Sequence, residues 1–142
     1  MEIREAVEED KALVFTLAQR FATSFAVERP AFDRSYSQLL RQEDARLVVA
    51  AENGRILGYC LAFDHHTFFA NGRVTWVEEI MVAEATRLAN VSRKLMTNIE
   101  QWGMERHSQM VALATRRASE FYKAIGYTES AAYFRKVLPA KK

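Results

Sequence analysis

The chain has little glycine, one cysteine and no long run of any single character. Its 142 residues include five glycines, at 54, 58, 72, 103 and 126, so the segment EATRLANVSRKLM, Glu84 to Met96, contains none. Nothing there lets the backbone meet a ligand without a Cβ in between. The lone cysteine, Cys60, excludes an internal disulfide, and its setting LGYCLAF marks it as a buried, reduced thiol rather than a nucleophile. No apolar stretch comes near the ~20 residues that span a bilayer, so no membrane partner is expected. The first ten residues, MEIREAVEED, are charged throughout and lack a signal-peptide core, which makes the cytoplasm the expected location. There is no run of five or more like charges, and a net charge of +2 is too weak a field to imply nucleic acid.

What remains is ordinary for a globular protein: 49% apolar and 27% charged residues, over a length that suits one domain spanning 1–142 with its own core. Met1 to Ala6 alternates like a strand, and EEDKALVFTLAQRF then places Ala12, Phe15, Leu17 and Phe21 at helical spacing. Pro30 opens a second helix to about Gln42. RLVVAAE and RILGYCLAF flank Asn53-Gly54, the dipeptide of a type I′ hairpin. The stretch DHHTFFANG is expected as a loop before the strand RVTWVEEIMV.

From Val91 onward, Val91, Leu95, Ile99 and Trp102 share one helical face, with Gly103 placed as a C-cap. SQMVALA reads as a buried strand, RRASEFYKAIGY as a short helix closed by Gly126, and AAYFRKVL as a last strand. The expected fold is a single α/β (α+β) domain: a mixed, mostly antiparallel central sheet flanked by about four helices.

Three segments resemble the GCN5-related N-acetyltransferase superfamily, GNAT. Its phosphate motif is a strand ending in valine, then Arg or Gln, two residues, Gly, any residue, and Gly or Ala; here the same register holds Val82, Arg87, Asn90 and Ser92. ASEFYKAIGY is similar to the family's Ala-x-x-Phe-Tyr-x-x-x-Gly-Phe/Tyr, with Tyr122 and Gly126 at the tyrosine and glycine, and this is the more specific match. WVEEIMV looks like the acidic fourth strand of polyamine and other small-amine acetyltransferases.

The resemblance implies acetyl-CoA as co-substrate and a primary amine, of a small molecule first, as acceptor. A polyamine, an amino acid, a drug-like amine and a protein amine all stay open. The binding set it implies for acetyl-CoA is Ile80, Met81 and Val82 on the strand, then Arg87, Leu88, Ala89, Asn90, Val91, Ser92 and Arg93 at the helix start, with Phe121. A homodimer through the last strands is in keeping with the family.

Acetyl transfer sets its own demands. An alkylamine with a pKa of ~10.4 arrives protonated, so a base must take its proton. Glu78 or Glu79 fills that place; strand alternation puts them on opposite faces, and the motif register favours Glu78. A backbone N–H near Met81 or Val82 can meet the oxyanion where the strand splays from its neighbour. Tyr122 can give a proton to the departing thiolate. His65, His66 and His107 have no acidic or cysteine companions at ligand spacing, so no metal is expected. The histidine loop either lines the acceptor pocket or is a plain hairpin tip.

A phosphate at a helix start needs free N–H groups and the helix dipole rather than glycine itself. Arg93 and Lys94 in the first turn favour a nearby anion, whereas Asn90 as an N-cap would occupy the N–H groups of Ser92 or Arg93. A chain without glycine here could therefore also be a GNAT-fold binding or regulatory module that has lost catalysis.

Overall fold

The computed structural model describes residues 1–21, 25–83 and 88–140. Five strands form one sheet in the order β1 (Glu2–Glu5), β2 (Ala45–Glu52), β3 (Arg55–Thr67), β4 (Gly72–Val82) and β5 (Ser108–Leu113). The first four are antiparallel in succession, and β5 runs parallel to β4. Helices α1 (Lys11–Phe21) and α2 (Arg29–Arg41) cover one face, while α3 (Leu88–Glu105) and α4 (Ser119–Ala124) cover the other. Among the described residues, no helix is long and apolar enough to cross a membrane.

Strand alternation builds the two cores. Val48, Ala50, Cys60 and Ala62 point to α3, whose Val91, Leu95, Ile99 and Trp102 are all buried against them. Their neighbours Leu47, Val49, Tyr59 and Leu61 point to Val14 and Leu17 of α1 and Tyr36 of α2. The expected helical stripe and the buried thiol at Cys60 are both present. Asn53 and Gly54 take φ of 50° and 76°, the left-handed pair that the hairpin turn requires.

Four local expectations are corrected. The segment DHHT belongs to β3, so the turn is confined to 68–71. Its polarity reads as a loop, but Asp64 is buried beneath Arg73 and Arg106, which hold it with Nη1 at 3.0 Å and Nη2 at 3.2 Å and through a further bond from Arg106 Nε. Gly103 lies inside α3, not at its cap: a Cβ there would sit 2.9 Å from Thr75 Oγ1, so glycine lets the helix press on β4. The turn after α3 is made instead by His107, at φ 63°. Asn90 is likewise inside α3, two residues past its start at Leu88, so it is a first-turn residue and not the N-cap. Finally, AAYFRKVL forms no strand, and every residue from 128 to 140 is exposed.

Candidate active site

The candidate site begins with an interruption in β4. Leu61 pairs with Glu79 and Ala62 with Val77, leaving Glu78 as an extra residue in a β-bulge. Val77 and Ile80, three residues apart, both pack toward α3. Glu78 and Glu79 therefore lie together between two residues that face α3, and the strict alternation that would have put them on opposite faces fails. Period-two reading misses this, although two apolar residues spaced by three inside a strand are its trace in the sequence.

Glu79 is half-buried, and Tyr59 on β3 donates its hydroxyl to Glu79 Oε1 at 2.7 Å. Burial pushes the Glu79 carboxyl above the ordinary carboxylate range, against the Tyr59 hydrogen bond, with the charge of Glu78 adding to the rise. Glu78 itself is exposed. Tyr59, only 2% exposed, is a site residue that sequence reasoning did not single out. Its signal was a tyrosine on the inward face of a strand, where the hydroxyl needs a partner.

A fork opens beside these acids. Pairing between β4 and β5 ends at Val77 and Leu113, while β4 continues to Val82 paired with β3 alone. Among the described residues, β5 pairs with none of 78–82 on that side, the stretch where the oxyanion donor is expected, near Met81 and Val82. Val82 is buried and Ile80 packs on the α3 side, whereas Met81 packs toward α1 and α2. Val82 can therefore offer a ligand backbone atoms only.

On the α3 side of the fork, Tyr122 is buried with Val82 and Cys60 and stacks edge-on against Phe121 at 5.0 Å and Tyr127 at 5.8 Å. Burial, with a lesser push from Cys60, raises its hydroxyl to about 12. At the start of α3, Ala89 and Asn90 are exposed, Ser92 is half-buried and Val91 is sealed in the core at 1% exposure. Exposed Arg93 lines a groove with Met96, Thr97 and the α4 end at Ala124 to Gly126. Arg87, expected at the phosphate loop, lies outside the described residues. Among the described residues no group of three or more His, Cys, Asp or Glu is placed to hold a metal.

The model of the acetyltransferase (GNAT) family matches residues 12–127. The chain belongs to the GNAT acetyltransferase family. No curated protein matches this GNAT chain. Solved structures share its fold at low identity. A transcriptional regulator from Bacillus halodurans C-125 is 18% identical, with a TM-score of 0.86 over 96% of this chain and 99% of that one. The glucosamine-6-phosphate N-acetyltransferase of Arabidopsis thaliana is 19% identical, with a TM-score of 0.84 over 97% and 98%. An aminoglycoside N-acetyltransferase in complex with CoA is 17% identical, with a TM-score of 0.76 over 96% and 100%. The expected single sheet of mixed direction flanked by four helices is the GNAT fold that these structures share.

Proposed function

We propose that this GNAT chain, acting as a single domain over 1–142, transfers the acetyl group of acetyl-CoA to a primary amine, most simply that of a small molecule. The observation that carries the reading is the coincidence of the β4–β5 fork with the bulge that sets Glu78 and Glu79 side by side. Solved GNAT structures that act on an aminoglycoside and on glucosamine-6-phosphate, one of them with CoA bound, support the same donor and acceptor class. A cytoplasmic setting, with the buried thiol of Cys60 kept reduced, belongs to the same proposal.

The thioester lies in the fork, with the acids toward the α1/α2 face and Tyr122 toward α3. Glu79 takes the ammonium proton, because its raised pKa makes it a better base than an ordinary carboxylate. Glu78, exposed beside it, offers the incoming cation a second acid. The neutral amine then attacks the carbonyl, and a backbone N–H at Met81 or Val82 meets the oxyanion.

As the C–S bond breaks, the nitrogen loses its second proton and the thiolate gains one, so the transfer balances. A hydroxyl at about 12 is ill-matched to a thiolate with a pKa of ~8.5; full transfer would be uphill by roughly 5 kcal/mol. Tyr122 therefore acts chiefly by hydrogen-bonding the departing sulfur, and proton transfer is completed as the amine proton is released. The pyrophosphate rests on the first turn of α3 at Leu88, Ala89, Asn90 and Ser92, with Arg87 and Arg93 supplying positive charge and Phe121 bordering the pantetheine.

A second reading is a regulatory or binding module of the same fold. It is favoured by the glycine-free helix start, where Ala89 and Asn90 put side chains beside the N–H groups a phosphate would use, and by the similar structure called a transcriptional regulator. Release of CoA thiol from acetyl-CoA, followed across a panel of polyamines, amino sugars, aminoglycosides and amino acids, separates the two. Turnover on any amine supports the transferase; acetyl-CoA binding without turnover on the whole panel supports the module.

A further inference from the structure

The two prongs of the fork carry opposite charge. Past Val77, β4 runs on through Glu78 and Glu79, while past Leu113 the chain leaves β5 for the turn from Ala114 to Ala118 that leads into α4. From Arg106 to Ser119 there is no acid, and the turn holds two adjacent cations, Arg116 and Arg117. Thr115 Oγ1 accepts the Ala118 N–H at 3.1 Å, a side-chain bond that closes the turn and sets both arginines at its bend. Both are exposed, and no ion pair or side-chain hydrogen bond joins either to another described residue. At the opposite end of the same strands, Arg73 and Arg106 instead close on Asp64. Two neighbouring cations repel, and among the described residues no acid offsets it here.

The prongs start close together. Where Val77 pairs with Leu113 the strands are one ladder spacing apart, about 4.8 Å. Glu79 lies two residues past that level and Arg116 three, so their Cα atoms stand within about 23 Å of each other at any angle of divergence. The two long side chains and one small extended molecule fill such a gap.

We infer that the acceptor is an amine that also carries an anionic group, a carboxylate or a phosphate, and that Arg116 and Arg117 hold this group while the amine lies at Glu79. The inference rests on the transferase reading and narrows its acceptor class. Guanidinium groups present paired N–H donors that suit either oxyanion. The opposite charges also set the direction of entry. An acceptor turned end for end brings its amine to two arginines and its anion to Glu78 and Glu79, and like charges oppose it at both ends. A polyamine, cationic along its length, is disfavoured by the same pair of arginines.

The test is kcat/KM for ω-aminocarboxylates of graded length, each beside its own primary amide, with the natural chain and the double variant Arg116→Gln with Arg117→Gln. Each pair of probes differs in the charge at its far end. The natural chain should prefer the carboxylate of at least one length by about ten-fold at low salt and by less at high salt, and the variant should treat each pair alike. Amides turned over as well as carboxylates, or a preference that survives in the variant, overturn the inference and leave the transferase reading standing. A variant that loses acetyl-CoA affinity and keeps the carboxylate preference assigns the arginines to the co-substrate's phosphates and overturns it too. Should the variant not fold, salt decides on the natural chain: a preference that fades as salt rises supports the inference, and one indifferent to salt overturns it. If no amine is turned over, the transferase reading fails, and calorimetric titration with the same pairs tests the anion site by itself. Tighter binding of a carboxylate than of its amide, lost in the variant, supports that site; equal binding overturns it.

Discussion

The Tyr59 hydroxyl, sealed in the core beneath α1 and α2, donates to Glu79 Oε1 at 2.7 Å, so the half-buried acid of β4 has one oxygen fixed and one to offer. The bond favours the ionised acid, while burial and Glu78 favour the protonated form. Removing it with Tyr59→Phe raises the Glu79 pKa further. The rising limb of kcat/KM against pH should then move to higher pH. A limb that stays in place while Glu78→Gln abolishes turnover would make Glu78 the base.

Tyr122→Phe keeps the ring stack with Phe121 and Tyr127 and removes the hydroxyl proposed as donor to the sulfur. Turnover should fall about 10²- to 10³-fold with acetyl-CoA affinity nearly unchanged. Steady-state kinetics beside a binding titration checks this; unaltered kcat takes Tyr122 out of the mechanism and leaves it as core packing.

Asn90 is exposed in the first turn of α3, beside the N–H groups that have no intrahelical acceptor. Asn90→Gly should cost up to ~1 kcal/mol of stability and yet tighten acetyl-CoA binding several-fold, because the phosphate gains closer approach. Opposite movements of melting temperature and affinity are the expected signature. A lower melting temperature with the same affinity means that the start of α3 does not hold the pyrophosphate.

Asp10 gives the pH dependence of the fold. Arg4 grips it with Nη1 at 2.7 Å and Nη2 at 3.0 Å, and the Val7 N–H adds a third bond at 2.9 Å. The Arg4 hydrogen bonds above all hold its carboxyl below the usual range. The stabilisation is therefore present above the unfolded value of 3.8 and is lost as pH falls through the lower folded value. Asp10→Asn should cost about 1 to 3 kcal/mol at neutral pH and flatten the acid limb of stability, as read by denaturant titration across pH. An acid limb unchanged in slope would assign acid sensitivity elsewhere.

Much of this fold is legible in residue order, and what escapes does so for physical reasons. The Asn53-Gly54 hairpin and the Val91, Leu95, Ile99, Trp102 stripe are local signals, written in backbone sterics and helical period. The bulge at Glu78 escapes because it is a mismatch between β4 and β3, and a single strand does not carry its partner's register. Asp64 looked like loop because Arg106, which helps bury it, lies far along the chain. Gly103 sits where a cap glycine would, yet its reason is Thr75 across the layer. AAYFRKVL shows the remaining limit: its strand propensity is plain, but propensity names no partner.

The most direct test of the transferase account is calorimetric titration of the chain with acetyl-CoA. It predicts saturable one-to-one binding with a Kd below ~1 mM, the upper end of ordinary substrate affinities. The absence of any binding heat at millimolar acetyl-CoA, with the fold intact by circular dichroism and no CoA thiol released on any amine, would contradict it.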